Sequence, residues 1–385
     1  MKNKIKMPEK AKNKFILWCK RQTTNPYDLI HYGIQPESDL VKMAGEQLLG
    51  VWSDLNEFLM FFRCSHFLYV FLENLPVNKE GEEKFVSEFM CIALAYVMRT
   101  NPRIGIGEKF PFNSPMHRVT PEIGYEKEDG VNNGAGTVKL HNDRMFIDEK
   151  IKYLLLYGVR KDKVDDGNVP TFFVPVAKLI EGIPEDLYLN LFEKNFKNPE
   201  SEKVIAALRG DPNKPETVES NLDLNDGWMI PLTQGAKDSL EWLQRRSDEI
   251  MQYSNYCEQL GPGTCAIAKD RLVVHARSSF ETSNILEERR LALRLHLIEI
   301  TTPYLFVFPD NKTYNLYWEK VELQKLSGRK VEVIIEPRWD IAGVIIKDRW
   351  DRHTILFVEK SLYCTATCGW GYQSTICLEP ETEIK

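Results

Sequence analysis

The clearest hydrophobic pattern in the chain is an alternation over 291–300, in which leucine occupies every second position from 291 to 297. A period of two places successive side chains on opposite faces of a strand. The four leucines at odd positions from 291 to 297 therefore share one face, which we expect to pack in the core, and Arg290, Arg294 and His296 share the other. Weaker patterns predict further strands over residues 66–75, 137–147, 152–159, 171–176 and 264–275, the last as one strand or a pair.

Helical spacing of apolar residues is clearest over 78–99. Glutamates at positions 80, 82 and 83 lie near the predicted start of this helix, where the helix dipole favours negative charge. Two more helices are predicted over 183–192 and 236–260. We interpret residues 177–260 as a helical insert between strands.

The character of the chain changes twice along its length. Residues 1–25 are rich in lysine and predict a flexible lead-in, and residues 26–300 form one large predicted domain. From 301 onward the chain is rich in β-branched and aromatic residues and holds four of the eight tryptophans, which predicts a small, mainly β extension over 301–385. The triplet Arg-Trp-Asp occurs at 338–340 and again at 349–351, each time before apolar residues, which predicts the two strands of a hairpin.

Composition excludes several classes of protein. The chain has 385 residues, 43% hydrophobic and 28% charged, which is ordinary for a globular protein and excludes collagen-like, coiled-coil and mostly disordered chains. A net charge of −6 argues against nucleic-acid binding. No apolar run approaches the ~18 residues of a membrane helix, no signal-peptide pattern follows the first lysines, and eight scattered cysteines do not suggest a disulfide framework. We therefore expect a cytoplasmic protein with no membrane or nucleic-acid partner.

The strongest candidate chemistry begins at His141 and Asp143. In a strand these two side chains project from one face while Asn142 projects from the other. Two neutral imidazoles and one carboxylate on one side of a metal form the facial triad of non-haem Fe(II) oxygenases, which leaves positions open for other ligands. The tripeptide alone is a weak motif, because such a histidine is more often a core or surface residue bonded to a neighbour. A distant apolar segment containing His275 strengthens the metal interpretation.

The polar face of the strand at 291–300 adds a second candidate feature. Arg290 and Arg294 on that face are costly to bury unless they meet anions or water, and arginine grips carboxylates bidentately. This face is therefore suited to the far carboxylate of a dicarboxylic cosubstrate. The alternative is an edge strand with a solvated face. Arg289 falls in register with the leucines, and we expect it to end the strand.

Together these features resemble a known family. The order is His-x-Asp at 141–143, threonine at 171, His-x-Arg-x-x-Phe at 275–280 and Arg-x-x-x-Arg at 290–294. It resembles the Fe(II)/2-oxoglutarate-dependent dioxygenases of the clavaminate synthase-like and taurine dioxygenase-like superfamily. The segments VVHARSSF and ERRLALR are most similar to hydroxylases of free lysine or arginine. The resemblance covers roughly residues 45–300 and implies an α+β fold with a double-stranded β-helix, or jelly-roll, core flanked by helices.

The resemblance implies a role for each matching residue. The catalytic metal, Fe(II), would be bound by His141, Asp143 and His275. Arg290 would hold the distal carboxylate of 2-oxoglutarate, and Thr171 would hydrogen-bond this cosubstrate. Arg294 would approach the cosubstrate or the carboxylate of the substrate. O₂ is the remaining cosubstrate that the resemblance implies.

A substrate with a cationic side chain needs a carboxylate partner. Asp223 and Asp226 lie where the related hydroxylases carry acidic residues on a loop over the site, so the resemblance makes them candidates. The alternative is an ordinary solvated polar loop. The glycine-rich segment 130–136, just before the first ligand strand, is a candidate lid or only a turn.

The implied activity is hydroxylation of an unactivated C–H bond of a free, lysine- or arginine-like amino acid, with release of succinate and CO₂. One alternative keeps the same cofactors but gives desaturation or cyclisation, or acts on a carrier- or protein-bound substrate docked by residues 301–385. That extension could also make homo-oligomer contacts. A second alternative is a non-catalytic jelly-roll binding protein, against which the intact set of candidate ligands argues.

Overall fold

The computed structural model divides the chain into two compact units, Met1–Glu299 and Ile300–Lys385. The structure describes residues 3–23, 39–78, 85–98, 100–102, 116–125, 127–130, 133–143, 151–164, 169–197, 203–253 and 255–299, and after these only strands between 307 and 377.

Seven α-helices lie in the described part of the first unit. They are α1 (Glu9–Lys20), α2 (Asp39–Val51), α3 (Asp54–Cys64), α4 (Val86–Val97), α5 (Val176–Leu179), α6 (Glu185–Asn190) and α7 (Gln234–Tyr253). Short 3₁₀ turns occur at Pro215–Thr217 and Leu286–Glu288. Within the described residues, no helix has the length and apolar character needed to cross a bilayer.

Sixteen strands are described in the same unit. They are β1 (Lys4–Lys6), β2 (Tyr69–Glu73), β3 (Thr100–Pro102), β4 (Met116–Val119), β5 (Val138–His141), β6 (Ile151–Arg160), β7 (Pro170–Pro175), β8 (Phe196–Lys197), β9 (Val204–Ile205), β10 (Leu208–Arg209), β11 (Glu219–Ser220), β12 (Ile230–Pro231), β13 (Cys257–Gln259), β14 (Cys265–Lys269), β15 (Val273–Arg277) and β16 (Leu291–Glu299). With helices and mainly antiparallel sheets together, the class is α+β, as predicted.

The largest sheet has seven strands in the order β1-β2-β14-β6-β16-β3, with β4 also paired to β16. Its neighbours are antiparallel except for the parallel pair β1 and β2. The predicted strand over 291–300 is confirmed as β16, and its four leucines are buried in the core that this sheet shares with α1 to α4. The opposite face of β16 carries Ala292, Arg294 and His296, which are also buried.

A second sheet of four strands, in the order β13-β7-β15-β5, packs against the first. Phe173 of β7 contacts Phe71 of β2 edge-on, with ring centroids 5.6 Å apart. These two rings belong to a small buried cluster with residues of β6 and β14. The inner faces of the two sheets thus meet, and the polar side chains on those faces share a water-poor space.

The insert between β7 and β13 differs from the prediction of a helical segment over 177–260. It holds α5, α6 and α7, but also the five short strands β8 to β12. The predicted helix over 236–260 ends at Tyr253, and the chain continues as β13. The residues between α6 and α7 are rich in Asn, Asp, Gly and Pro, which favour turns over a continuous helix.

The predicted flexible lead-in over 1–25 is wrong for the residues that the structure describes. Residues 4–6 form β1 and residues 9–20 form α1. Ala11, Phe15 and Cys19 recur every four residues and are buried on one face of α1, while lysines occupy other positions. The high lysine content suggested a solvated segment, but these three apolar residues give the helix one apolar face that packs in the main core.

The second unit contains the strands β17 (Val307–Phe308), β18 (Lys330–Glu332), β19 (Ile334–Ile335), β20 (Ile341–Lys347), β21 (His353–Glu359), β22 (Tyr363–Cys368) and β23 (Tyr372–Cys377). Five of them form a sheet in the order β18-β20-β21-β22-β23. The hairpin predicted from the repeated triplet is confirmed, because β20 and β21 pair antiparallel along their whole length.

Candidate functional site

Three side chains that the sequence analysis proposed as metal ligands lie together. Candidate donor atoms of His141, Asp143 and His275 are all within 4.8 Å of one another, and all three residues are buried. The two imidazole rings are 4.1 Å apart between centroids, and Nε2 of His141 is 3.7 Å from Oδ1 of Asp143. Two nitrogens and a carboxylate oxygen at this spacing fit a single divalent ion with open positions.

The register of the four-stranded sheet brings the two histidines together. His141 on β5 and His275 on β15 are direct antiparallel partners, so their side chains project from the same face. The strand predicted over 137–147 ends at His141, and residues 144–150 lie outside the described part of the chain. Asp143 therefore sits in the turn that follows β5, where it lies beside His141.

Asn142 anchors this turn from the other side. Its Nδ2 donates to the carbonyls of Asp270 and Val273 at 2.6 and 3.1 Å. Its Oδ1 accepts from Oγ of Ser220 and the backbone N–H of Leu222 at 2.7 and 3.0 Å. A buried amide with four partners fixes the turn between two candidate ligands. The sequence analysis placed Asn142 on the opposite face but did not predict this role.

The carboxylate of Asp143 has a strong partner at each oxygen. Arg294 Nη1 lies 3.0 Å from Oδ1, and His296 Nε2 lies 2.8 Å from Oδ2. Burial alone would raise the pKa of Asp143, but Arg294 and His296 outweigh it and hold that pKa well below its ordinary value. The group is therefore an anion at neutral pH, as a metal ligand must be.

The two histidines are placed to act as nitrogen ligands. Nδ1 of His141 lies 2.9 Å from the carbonyl of Lys139, which can only accept, so Nδ1 carries a proton and Nε2 is the nitrogen on the side of Asp143. Burial lowers the pKa of His275 well below its ordinary value, with neighbouring His141 acting in the same direction. Nδ1 of His275 is buried and has no hydrogen-bond partner among the described residues. Such an atom in a polar site requires an explanation, and a bound ion nearby is one.

A pair of buried arginines lies near the triad. The guanidinium carbons of Arg277 and Arg290 are 5.0 and 5.8 Å from the ring centroid of Phe280. Nη2 of Arg277 donates to the carbonyls of Gly134 and Gly136, each at 2.8 Å. Burial, followed by the charge of Arg290, lowers the pKa of Arg277 to about 9. Two buried cations this close repel each other, so an anion bound between them would be strongly favoured.

Thr171 lies beside this cationic pair. It is the antiparallel partner of Arg277 in the ladder between β7 and β15, so it projects from the same face. Its Oγ1 is buried without a hydrogen-bond partner among the described residues. A hydroxyl placed in this way is ready to bond a carboxylate ligand. The sequence motif contained Arg277, but the sequence analysis assigned a role only to Thr171, Arg290 and Arg294.

The loop before β16 is held by Asp162 and by Arg289. Asp162 accepts from the backbone N–H of Arg290 at 3.1 Å and from Oγ1 of Thr282 at 2.7 Å. Arg289 is fully buried and donates to the carbonyls of Ser283 and Pro121 at 2.7 and 2.9 Å. The separation of Arg289 from the arginine face, predicted from the period of two, is therefore present. Asp162 gave no sequence signal, because its partners are distant in the chain.

The two acidic residues proposed for the substrate lie in different surroundings. Asp223 bridges to His141 through the backbone, and its Oδ1 accepts from Asn225 Nδ2 at 2.7 Å. Burial raises the pKa of Asp223, although nearby His141 opposes the shift. Asp226 has a side chain 83% exposed and pairs with Lys139 at 3.3 Å. Of the two, only Asp223 lies against the metal-ligand cluster.

No family model and no curated protein matches the chain. A comparison with solved structures does find similar proteins. An asparagine oxygenase in complex with Fe(II), 3-hydroxyasparagine and succinate is 19% identical, with a TM-score of 0.63 over 77% of this chain and 94% of that one. The non-heme iron oxygenase OrfP in complex with Fe and alpha-ketoglutaric acid is 12% identical, with a TM-score of 0.56 over 78% of this chain and 94% of that one. Similarity at such low identity shows a shared fold.

Proposed function

We propose that this protein is an Fe(II)- and 2-oxoglutarate-dependent oxygenase that hydroxylates an unactivated C–H bond of a free amino acid and releases succinate and CO₂. One observation carries the proposal: a buried cluster of two histidines and an aspartate lies beside a buried arginine pair. This chemistry requires a metal triad next to cations that can hold a dicarboxylate, and His275 of the triad is two residues from Arg277 on β15. The fold shared with the asparagine oxygenase and with OrfP supports it.

The proposed core within residues 26–300 is a double-stranded β-helix, with 301–385 as a separate extension. Two facing, mostly antiparallel sheets of seven and four strands support this assignment. The candidate ligands are buried, so a ligand bound to them would be largely surrounded by protein.

His141, Asp143 and His275 would hold the iron through the ionised carboxylate and the two imidazoles described above. When bound, iron supplies the activation of O₂ that oxidises both the cosubstrate and the substrate C–H bond. Arg290 would hold the distal carboxylate of 2-oxoglutarate, with Thr171 as a hydrogen-bond donor to the same group. Nη1 of Arg294 contacts Asp143, and its Nε has no partner among the described residues. We propose that this Nε donates to a carboxylate of the cosubstrate or substrate.

The substrate we propose is a small amino acid with a cationic side chain, resembling lysine or arginine. Asp223 supports this choice, because it is a half-buried carboxylate whose backbone pairs with that of His141, and a cation bound beside it would stabilise its charge. OrfP has been solved with (3S)-hydroxy-L-arginine, and the asparagine oxygenase with 3-hydroxyasparagine. We place the protein in the cytoplasm, in keeping with the free thiols Cys19, Cys91 and Cys265 in its core.

The deciding experiment is a panel assay on the full chain. Purified protein is given Fe(II), 2-oxoglutarate and O₂, with each of the proteinogenic amino acids in turn, and succinate release is measured. We expect release to rise well above the substrate-free rate for lysine, arginine or a close analogue, with a product heavier by one oxygen atom. No stimulation by any amino acid, together with no absorption band on anaerobic addition of Fe(II) and 2-oxoglutarate, would refute the proposal.

Replacing Asp223 with asparagine tests the substrate assignment. The change keeps the shape and removes the charge, so KM for a cationic amino acid should rise about 10- to 100-fold, as expected for the loss of a charged hydrogen bond worth ~1.5–3 kcal/mol. KM for 2-oxoglutarate should stay within about threefold. Asp226→Asn is the matched control, because its carboxylate is exposed, and it should change neither constant. Equal effects of the two substitutions would remove Asp223 from the substrate site.

A further inference from the structure

We propose that His296 is a positioning residue that orients the metal-binding carboxylate of Asp143, so that Oδ1 faces the ion and Oδ2 is held away from it. This inference rests on the proposed function, since it concerns the same metal site. The motif that suggested the metal site contains His141, Asp143 and His275 and says nothing of His296.

The two oxygens of Asp143 have different surroundings. Oδ1 lies on the side of the triad, 3.7 Å from Nε2 of His141. Oδ2 lies 2.8 Å from Nε2 of His296, a residue of the opposite sheet. An ionised carboxylate cannot donate, so the proton in this contact is on Nε2 of His296. Oδ2 is thus occupied by a donor from the opposite sheet, whereas Oδ1, which also accepts from Arg294, faces the triad.

His296 is well suited to fix a neighbour. It lies within β16, where its backbone pairs with Leu154 of β6. Its side chain is almost completely buried, and its ring lies against that of His117, with centroids 5.5 Å apart. By contrast, Asp143 lies in a turn beyond the end of β5, so no strand ladder sets the direction of its side chain. The donor lies on a strand ladder, whereas the ligand lies in a turn whose backbone Asn142 holds but whose Asp143 side chain needs its own partner.

Arg294 does not supply the same constraint. It contacts Oδ1, the oxygen on the side of the triad, at 3.0 Å, and it lies two residues before His296 on the same strand face. Arg294 therefore adds charge near the metal position, whereas His296 alone contacts the distal oxygen among the described residues. Without His296, Oδ2 is free to turn toward the ion, and the carboxylate can bind through either oxygen or both.

Metal binding to the full-length apoprotein tests this assignment without any turnover. Co(II) is titrated anaerobically, with affinity measured by competition against a chromophoric chelator and coordination followed by the d–d absorption spectrum. His296→Leu should weaken binding about 10- to 100-fold, the usual cost of losing an outer hydrogen bond to a ligand, and should alter the spectrum. His296→Gln, whose Nε2 can replace that of histidine, should stay within about threefold of the unmodified protein and keep its spectrum.

The control variant is His66→Leu, a change of the same type at an exposed position, which should bind Co(II) like the unmodified protein. Native affinity and spectrum in His296→Leu would overturn the inference, as would equal weakening in the Leu and Gln variants, since that indicates loss of shape and not of the donor. These outcomes leave the proposed function intact provided that Asp143→Ala abolishes binding. If Asp143→Ala binds Co(II) as well as the unmodified protein, the metal site itself is refuted.

Discussion

Asp143→Ala is expected to reduce amino-acid-stimulated succinate release to the level of protein without metal. The substitution removes the only anionic member of the triad, so the loss of metal affinity should exceed the ~100-fold that outer hydrogen bonds control. The rate of turnover should be measured as succinate formed per minute at saturating Fe(II) and 2-oxoglutarate, and the affinity for Co(II) is a second readout.

This substitution also leaves the buried Arg294 without its carboxylate partner. Breaking a buried ion pair in this way typically costs ~3–5 kcal/mol, so thermal unfolding must be recorded to separate misfolding from loss of the ligand. Asp143→Asn keeps the volume and one oxygen, and should fold better while remaining inactive. The matched control is Asp226→Ala, which should be fully active. Turnover that survives in a folded Asp143→Ala variant, which has no donor atom at this position, would exclude Asp143 as a ligand.

Arg290→Ala is expected to raise KM for 2-oxoglutarate about 10- to 100-fold, because a charge-assisted bond to a carboxylate is worth ~1.5–3 kcal/mol. The guanidinium of Arg290 is buried near Phe280, where water cannot replace it. KM for the amino-acid substrate should change little. Arg290→Lys keeps the charge but not the paired donors of the guanidinium, so its KM for 2-oxoglutarate should lie between that of the unmodified protein and that of Arg290→Ala.

Arg289→Ala gives a sharp contrast with the neighbouring position. Arg289 donates to two backbone carbonyls and is fully buried, so its loss should lower the unfolding temperature while KM for 2-oxoglutarate in the remaining folded protein stays near native. The exposed Arg245→Ala should affect neither quantity. A larger rise in that KM for Arg289→Ala than for Arg290→Ala would contradict the register of β16.

The parts of the structure that local periodicity determines were predictable from the sequence. β16 was recognisable because its leucines must share a buried face, and the hairpin of β20 and β21 because its two halves repeat. The spacing of two residues predicted that the side chains of His141 and Asp143 lie together. They do, although His141 ends β5 and Asp143 lies in the turn after it, and the two do not share one strand as predicted. Convergence with His275 required the resemblance, since no local rule relates residues so far apart.

The features that sequence reasoning missed depend on contacts distant in the chain. Asn142 and Asp162 have ordinary sequence surroundings, and their roles come from partners that lie between 78 and 131 residues away. His296 was assigned to the correct face of β16, but its partner could be identified only once the turn after β5 was placed. Helix α1 was missed for a different reason, because its lysines masked a narrow apolar stripe.

Asp143 reaches across the gap between the two sheets, with His141 and His275 on the smaller one and Arg294 and His296 on the larger one. The three candidate ligands belong to the smaller sheet and the turn after β5, whereas the two side chains that hold the carboxylate of Asp143 come from the larger sheet, so a partly unfolded chain with separated sheets holds the ligands less well. An ion that binds the docked state more tightly than the separated one adds the difference in binding free energy to the stability of the fold. Under the proposed function, the stability of this protein therefore depends on the supply of ferrous iron, and we expect iron starvation to increase its proteolysis as well as to abolish its activity.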